Sequence, residues 1–405
     1  MKCNITLINH ASFSIEWEDD LLLMDPWYNG RIFNNSWSLI KDTDLDSIKG
    51  IEKLSKIVIS HEHPDHLHWP TLRSIKNKIP NNNITVYLPF RSNDNVKKKI
   101  EQIGFKFEYL PATTKTYINK NLTLCSFPTG HDAAIVFELD KTVVLNQNDA
   151  YLTDSELDEL LYMYPSIDYW WMQFSLAGYY ANRSNPAALM KKGHEFHIER
   201  FEYYKRKINP KVSIPFASFC YFCKYYNSYL NDYVVKPSHL LEKDSSIKVL
   251  YYSDSVAVED SINNSLKWDA EYDKDRIIDS VPPTIPLNDI LSASHSMFAE
   301  NDFLLSQIDD QYKPRGYFVF YDYPRKKTKP FVSVYLDFVK KELKTMSTII
   351  PPKNEIAGIT SSEEFYFYLK ELWGPDTLNI TGCFEKVNES LWNNMLVFKD
   401  QLYKR

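Results

Sequence analysis

The first 150 residues alternate short apolar runs with polar turns. Runs such as ITLINHASFSIEW, LLLMDPW, KIVIS, ITVYLPF and LTLCSFPTG are rich in β-branched and aromatic residues. Runs of this length and composition favour strands over helices. The acids at 18–20 separate the first two runs, and Asp140 and Lys141 separate AIVFEL from TVVLNQND, so both pairs predict hairpins. The N-terminal part is therefore predicted to be rich in strands.

Helical patterns enter the chain after Asp149. The segment TDSELDELLYMY begins with a Thr/Asp cap, carries acids in its first turn and repeats apolar residues at helical spacing. The segment NPAALMKKGHEFHIERFEYYKRKI predicts a long helix entered through Asn-Pro. DYWWMQFS, KVSIPFASF and IKVLYYSD between these helices predict buried strands. This alternation predicts a layered α/β body with helices on the outside of sheets.

The chain becomes more polar and less regular from about residue 261. We therefore predict a main domain at residues 1–260 and a C-terminal accessory region at residues 261–405. Pro282, Pro283 and Pro286 mark the best candidate linker. Beyond it, LNDILSASHSMFAENDFLLSQI predicts a helix, and GYFVFYDY and PFVSVYLDF predict a hairpin around the basic loop PRKKTK. We interpret the charged residues of that loop as part of a solvated turn.

Composition excludes several classes of protein. The 405 residues are 44% hydrophobic and 25% charged, which is typical of a globular domain, and the net charge of −6 disfavours nucleic-acid binding. No apolar run reaches the ~18 residues of a membrane span, and the N-terminus is interpreted as a strand rather than a signal peptide. Five cysteines, an odd number, favour a reducing compartment. These features predict a cytoplasmic protein that acts on a small molecule.

Four histidines and two acids occupy positions 61–68, directly after the apolar run IVI. Alternation along an extended segment puts His61 and His63 on one side, and the following turn can bring Asp65 and His66 to the same region. Two imidazoles plus a carboxylate–imidazole pair suit two adjacent divalent metal ions. A lone histidine would favour a polar loop, but four side chains at this spacing favour metal binding.

This hexad resembles the HxHxDH signature of the metallo-β-lactamase superfamily. The resemblance implies an αββα sandwich, an α/β fold of four layers, with a smaller C-terminal α+β addition. It further implies that Asp25 after LLLMD, His131 in PTGHD and Asp149 in NQND lie at strand ends near the metals, Asp149 as the bridge. We interpret Asp25 as a group that orients a ligand histidine. His10, in NHAS, is a candidate for a residue near the site.

Further motifs narrow the branch. NHASFSIE, DPWYNGRIF, GHDAAIVFELD, LNQNDA and IPFASF resemble the L-ascorbate 6-phosphate lactonases and, more closely, the metallo-β-lactamase-like region of CMP-N-acetylneuraminate hydroxylases. The sequence has no C-x-H…C-x-x-H pattern for the Rieske module of those hydroxylases.

A histidine expected after IPFASFCYF is replaced by Cys223-Lys224-Tyr225. Lys224 is therefore a candidate for a substrate or supporting group. His194, His197 and His239 are candidates for the last metal ligand, and the first two are expected at the surface of a polar helix.

The leading hypothesis is a metallo-hydrolase that uses two Zn²⁺ or Mn²⁺ ions to activate water against an ester, lactone, amide or phosphodiester. Asp65 or Asp149 would hold that water and take its proton. The main alternative is a diiron oxygenase, which would need electrons from a donor protein or from the substrate. A third hypothesis is a metal-binding protein with an impaired second site, motivated by Lys224. Homo-oligomer formation is compatible with all three.

Overall fold

The computed structural model describes residues 3–17, 19–81, 83–90, 94–280, 284–320, 332–346, 351–371 and 373–403. Two prolines of the predicted linker, Pro282 and Pro283, lie outside these residues. So do the predicted basic loop at 324–329 and residue 18 of the first predicted hairpin turn. None of the described helices is both long enough and apolar enough to cross a membrane.

The first sheet and a small neighbouring sheet use the strands up to residue 110. In chain order these are β1 (Asn4–Asn9), β2 (Ser12–Trp17), β3 (Asp20–Met24), β4 (Arg31–Ile32), β5 (Trp37–Leu39), β6 (Leu54–Val58), β7 (Thr85–Pro89) and β8 (Lys106–Leu110). The first sheet has the order β1-β2-β3-β6-β7-β8. Strands β1 to β3 are antiparallel, whereas β3, β6, β7 and β8 run parallel. The parallel arrangement brings the carboxyl ends of β3 and β6 to one edge.

The second sheet faces the first. Its strands are β9 (Thr116–Asn119), β10 (Leu122–Thr129), β11 (Asp132–Leu139), β12 (Thr142–Asn148), β13 (Tyr169–Gln173) and β14 (Val212–Phe216), in spatial order β14-β13-β12-β11-β10-β9. The predicted hairpin of β11 and β12 is confirmed, with Leu139 opposite Thr142. A further strand, β15 (Cys220–Phe222), joins β5 and β4 in a three-stranded sheet.

Helices cover the outer faces of both sheets. They are α1 (Trp69–Lys78), α2 (Asn95–Ile103), α3 (Asp154–Met163), α4 (Pro186–Leu189), α5 (Phe196–Ile208), α6 (Pro237–Lys243) and α7 (Ser261–Tyr272), with a π-helical segment, Met190–Glu195, between α4 and α5. Leu72 of α1 and Ile100 of α2 pack on the outer face of the first sheet. Leu160 of α3 and Phe201 of α5 belong to the cluster that contains the second sheet. The predicted layered α/β body is therefore confirmed.

The interior between the two sheets is a single aromatic and aliphatic core. Phe13 of β2 packs edge-on against Phe137 of β11, with ring centroids 5.7 Å apart, and stacks on Trp171 of β13 at 4.9 Å. All three side chains are fully buried. Buried aromatic pairs of this kind stabilise a sandwich beyond the area that they remove from water. The core rigidly fixes the strand ends that carry the polar cluster.

The C-terminal region forms a second layered unit with its own core. Its elements are α8 (Leu287–Glu300), α9 (Asp302–Ser306), β16 (Arg315–Phe320), β17 (Val332–Asp337), β18 (Glu342–Met346), β19 (Ile356–Thr360), α10 (Ser362–Lys370), α11 (Gly374–Thr381), β20 (Phe384–Lys386) and α12 (Glu389–Tyr403). The sheet has the order β18-β17-β16-β19-β20. Its apolar cluster includes Phe318, Phe365 and Trp392.

Helix α7 lies just past the predicted domain boundary at residue 260, and its packing is with the N-terminal unit. Trp268 of α7 is fully buried in the main core and stacks on Phe219 with ring centroids 3.7 Å apart. The boundary itself stays a prediction.

Candidate metal centre

Polar side chains converge where several strands end at one edge of the sandwich. His10 follows β1, Asp25 follows β3, the hexad starting at His61 follows β6 by two residues, and Asp149 follows β12. His10, Asp25 and Asn148 have positive φ angles of 27°, 38° and 43°. Non-glycine residues in this region are strained and concentrate at functional sites. The packed strands therefore hold these turns in a conformation that the local sequence would not choose alone.

One group of ligand-type atoms lies around Nε2 of His61. One nitrogen or oxygen each from His61, His63, Asp132 and Asp149 lies within 4.8 Å of all the others. Nε2 of His61 is 3.4 Å from Oδ1 of Asp132 and 3.6 Å from Oδ2 of Asp149. Nδ1 of His63 is 3.7 Å from the same Asp132 oxygen. Two imidazoles and two carboxylates at these separations can close around one divalent ion.

A second group lies beside it and shares Asp149. Nε2 of His66 is 3.3 Å from Oδ2 of Asp65 and 3.6 Å from Oδ2 of Asp149. Nε2 of His10 is 3.4 Å from the same Asp65 oxygen. Oδ2 of Asp149 is thus equally distant from the ligand nitrogens of His61 and His66. One carboxylate oxygen belongs to both groups, which is the geometry of a bridge.

Asp25 and Ser60 support the two groups from behind. Oδ1 of Asp25 accepts the backbone N–H of Ser60 at 2.7 Å, and Oδ2 accepts the Ser60 hydroxyl at 2.6 Å. Oδ2 of Asp25 also lies 2.7 Å from Nδ1 of His66, while the Ser60 hydroxyl lies 3.0 Å from Nδ1 of His61. These bonds fix how both rings face the cluster. Ser60 was not predicted from the sequence. Its position between the strand and the HxHxDH motif could have indicated a group that orients the ligand histidines.

The hairpin turn before β11 brings Asp132 into the cluster beside the predicted ligand His131. His131 is an exposed turn residue that lines the adjacent cavity and is not in the group of four ligand atoms. Asp132 is the first residue of β11 and points its carboxylate at His61 and His63. His131 and Asp132 are adjacent in the sequence GHD, so either could reach the cluster from this turn. The sequence pattern alone did not determine which of the two is the ligand. His131 as a ligand stays a prediction.

The three candidates for the last ligand form contacts of their own. His197 is fully buried in α5, so the expectation that it lies at the surface is wrong, and its Nε2 is 2.8 Å from the hydroxyl of Tyr180. His194 and His239 face each other with ring centroids 4.9 Å apart. None of the three is in the described group of ligand atoms around His61.

Lys224, the other candidate from the same segment, is buried and pairs with the C-terminal region. Its Nζ donates to Oε1 of Glu364 at 2.6 Å and to Oε2 of Glu363 at 2.9 Å. Glu364 is 1% exposed and Lys224 is 4% exposed. The lysine therefore serves the contact between the two units of the chain.

The electrostatics of the cluster favour a positive charge at its centre. Burial opposes a charged imidazole at position 66, but the carboxylates of Asp65, Asp149 and Asp25 hold the pKa of His66 well above its ordinary value. Burial would raise the pKa of Asp65, yet the charge on His66 and the hydrogen bonds from His10 and His66 hold that pKa well below its usual range. A site that stabilises an imidazolium among carboxylates also stabilises a metal cation.

Unsatisfied polar atoms test whether these residues fit a metal. Within the described part of the chain, Nε2 of His66, Oδ1 of Asp65 and Oδ1 of Asp149 are buried without a hydrogen bond. Buried polar atoms are normally hydrogen-bonded, and leaving them unpaired is costly. These three atoms lie in one cluster, and nitrogen and oxygen atoms of this kind are suitable ligands for divalent metal ions.

A cavity of about 400 Å³ opens beside the first group. Its wall includes His63 and Asp132 from the cluster and Tyr151 just after the bridge candidate. Asp376 and Asn379 of helix α11 also line it. The C-terminal region therefore contributes directly to the space where a small molecule would meet the cluster.

Residues 4–155, which include the hexad and every group described around it, match the Beta-lactamase superfamily domain. Residues 4–155 of this chain are therefore a domain of the metallo-β-lactamase superfamily. The resemblance predicted from the hexad is therefore confirmed, and so is the fold: a metallo-β-lactamase-like α/β fold with mixed sheets and an additional C-terminal region. The structure brings together a His/Asp cluster that could bind a metal ion.

Curated relatives are distant and much longer. The cytidine monophosphate-N-acetylneuraminic acid hydroxylase of Cricetulus griseus is 28% identical over 155 residues, which are 36% of this chain and 27% of that protein. The enzyme of Asterias rubens is 34% identical over 105 residues, 26% of this chain and 16% of that protein. The matched segments thus cover 27% of the Cricetulus griseus protein and 16% of the Asterias rubens protein, so this chain spans only a small part of the length of these relatives.

Solved structures that align with part of this chain include proteins described with different chemistry. Igni18, a metallo hydrolase from Ignicoccus hospitalis, aligns with a TM-score of 0.44 at 15% identity, covering 63% of this chain and 97% of its own. CmlA, a diiron beta-hydroxylase from Streptomyces venezuelae, aligns with a TM-score of 0.42 at 12% identity, covering 64% of this chain and 54% of its own.

Proposed function

We propose that this superfamily member is a metal-dependent hydrolase of a small metabolite, acting on an ester, lactone, amide or phosphodiester. The observation that carries the proposal is the position of Asp149, whose Oδ2 is 3.6 Å from both the His61 and the His66 ligand nitrogens. A shared carboxylate offsets the repulsion between two adjacent divalent ions.

The residues divide into two ligand groups around Asp149. His61, His63 and Asp132 would hold one ion, and Asp65, His66 and His10 the other. When bound, two divalent ions would lower the pKa of a water molecule and polarise the bond under attack. Zinc or manganese suits the nitrogen and oxygen donors.

Asp65 is our candidate for orienting the attacking water. Its pKa is held well below the usual range, so the carboxylate stays ionised. Oδ2 faces His66 and His10, and Oδ1 is buried without a hydrogen bond in the described part of the chain. The ionised carboxylate would accept a hydrogen bond from water held at the second ion and so orient that water.

A second candidate is a diiron oxygenase, which the similarity to the sialic acid hydroxylases favours. The same donors suit iron. The 405 residues contain no C-x-H…C-x-x-H pattern, so electrons would come from a donor protein or from the substrate. The third hypothesis, an impaired second site, stays a proposal, because Lys224 pairs with Glu364 and supplies no ligand in place of the expected histidine.

Metal loading separates these proposals. The purified chain is loaded with Zn²⁺, with Mn²⁺ or, without oxygen, with Fe²⁺, and its metal content is measured by elemental analysis. Each form is then assayed against a panel of aryl esters, lactones, amides and phosphodiesters, and the iron form is assayed for O₂ uptake with a chemical reductant. We expect the zinc or manganese form to hydrolyse at least one class.

Two variants control the assay. His61→Ala should lose both metal and hydrolysis, whereas His295→Ala, an exposed histidine on α8, should keep both. Two irons per chain with the visible absorption of a diiron centre, O₂ consumption and no hydrolysis by any form would overturn the hydrolase in favour of the oxygenase.

A further inference from the structure

A second cavity lies between helices α1 and α2, which cover the outer face of the first sheet. Its volume is about 500 Å³, which is the size of a small-molecule site. The described residues that line it are Arg73 of α1 and, on α2, Asn95, Lys98, Lys99, Gln102 and Ile103. None of these residues lines the cavity beside the metal cluster.

The charged groups of this cavity are all positive. Arg73, Lys98 and Lys99 line it, and no Asp or Glu is among its described lining residues. None of the three cations belongs to an ion pair in the described part of the chain. Partial burial and then the positive charge of Arg73 lower the pKa of Lys99. An anion between these side chains would relieve their mutual repulsion.

The segment that carries these cations is basic within an acidic chain. Residues 69–105 contain seven Lys or Arg and two Asp or Glu, a net charge of +5, whereas the whole chain has a net charge of −6. Six of the seven cations lie on α1 and α2. Positive charge is therefore concentrated on the two helices that form the cavity, which favours anions there.

Packing fixes the two helices that present the cations. Leu72 of α1 and Ile100 of α2, the sequence neighbours of Arg73 and Lys99, are completely buried in the cluster under the helices. Nζ of Lys99 lies 4.1 Å from the centroid of the Trp69 ring. This cation–π contact limits the positions of the ammonium group. The cations are thus held close together before any ligand binds.

A phosphate group matches three converging cations better than a carboxylate does. A phosphomonoester carries a charge of about −1.5 to −2 at pH 7 and three acceptor oxygens. The guanidinium fork of Arg73 can bind two of those oxygens side by side, while the two lysines act as point charges. A carboxylate has one charge and two oxygens, so it would compensate less of the repulsion.

We propose that the cavity between α1 and α2 is a binding site for the phosphate group of a small molecule, held by Arg73, Lys98 and Lys99. The site is separate from the cavity beside the metal cluster, and it does not depend on the hydrolase function proposed above.

Titration of the zinc-loaded full chain tests the site. We would measure the binding of inorganic phosphate, glycerol 3-phosphate and acetate by isothermal titration calorimetry at constant ionic strength. Glycerol 3-phosphate should bind at least about ten times more tightly than acetate, because it has more charge and more acceptor oxygens. Equal binding of inorganic phosphate would identify the free ion as a sufficient ligand. The same titrations on His61→Ala exclude phosphate held by the metal ions.

Variants assign the binding to the three side chains. The triple variant Arg73→Gln, Lys98→Gln, Lys99→Gln should weaken glycerol 3-phosphate at least about ten-fold. All three side chains are exposed, so the variant should keep its fold, which circular dichroism checks. Lys98→Arg keeps the charge and should change the affinity less than about two-fold.

A second triple variant controls for net charge. Lys120→Gln, Lys191→Gln, Lys340→Gln removes the same charge at exposed positions that do not line the cavity, and it should bind glycerol 3-phosphate like the wild type. Equal weakening in both triple variants, acetate binding as tight as phosphate binding, or no phosphate binding by the wild type would overturn the inference. So would loss of all phosphate binding in His61→Ala, because the ligand would then be bound at the metal ions.

Discussion

Nδ1 of His66 lies 2.7 Å from Oδ2 of Asp25, and both side chains are completely buried. The carboxylate accepts the Nδ1 proton, so it fixes the tautomer in which Nε2 is the ligand atom. That nitrogen faces Asp65 and Asp149 at 3.3 Å and 3.6 Å. Asp25 therefore controls the metal cluster through His66.

Asp25→Asn tests this control. An amide keeps the size of the side chain but weakens the charge-assisted bond to His66, so we expect metal affinity to fall about 10- to 100-fold. Competition against a chromophoric chelator measures the affinity. The exposed Asp46→Asn is the matched control and should bind metal normally. Unchanged affinity in Asp25→Asn would mean that the histidine is oriented without it.

Asp149→Asn should remove the bridge and leave one ligand group. The amide preserves the shape but not the charge that offsets repulsion between two ions, so the metal content should fall from two towards one per chain. Elemental analysis after dialysis gives the count, and Asp154→Asn in the first turn of α3 is the control. Two metals held with unchanged affinity would contradict the bridging role.

Asp149 lies close before helix α3 but does not cap it. Thr153 is the N-cap of α3, and its side chain and that of Glu156 form a reciprocal capping box. Loss of metal in Asp149→Asn would therefore not come from an unfolded helix terminus.

Lys224→Met should destabilise the protein while leaving its metal in place. The substitution strands the buried carboxylate of Glu364 without its cation, and breaking a buried pair in this way costs about 3–5 kcal/mol. The double variant Lys224→Met with Glu364→Gln should recover much of that loss. Urea unfolding measures both. If the single variant kept its stability and lost metal, Lys224 would belong to the metal site after all.

Local sequence patterns predicted the hairpins and the strands that end near Asp25, His61 and Asp149, because these features depend on near neighbours in the chain. The partner of Lys224 could not be predicted, since Glu364 is 140 residues further along. The presence of Asp376 at the cavity could not be predicted for the same reason, since α11 is brought there by its packing on the loop at Tyr179. The choice between His131 and Asp132 depended on the exact start of β11, and boundaries are the least reliable part of such predictions.

Lys399 should make the stability of the C-terminal region depend on pH. This fully buried lysine of α12 donates to the carbonyl of Glu371 at 3.0 Å, and burial lowers its pKa to about 7. In the unfolded chain the pKa is about 10.4. Between these two values the unfolded chain binds a proton that the folded chain does not. The free energy of unfolding should therefore rise as pH rises from about 7, by at most about 1.4 kcal/mol per pH unit.

Lys399→Met removes the ionisable group and should abolish this slope. The variant should exceed the wild type in stability at pH 7, because it has no ammonium group to desolvate, and the difference should shrink towards pH 10. Urea unfolding at several pH values between 7 and 10 measures the slope, and Lys340→Met at an exposed position is the control. Parallel pH profiles for Lys399→Met and the wild type would mean that Lys399 is charged in both the folded and the unfolded chain over this range, and that the carbonyl of Glu371 is enough to keep its proton in place.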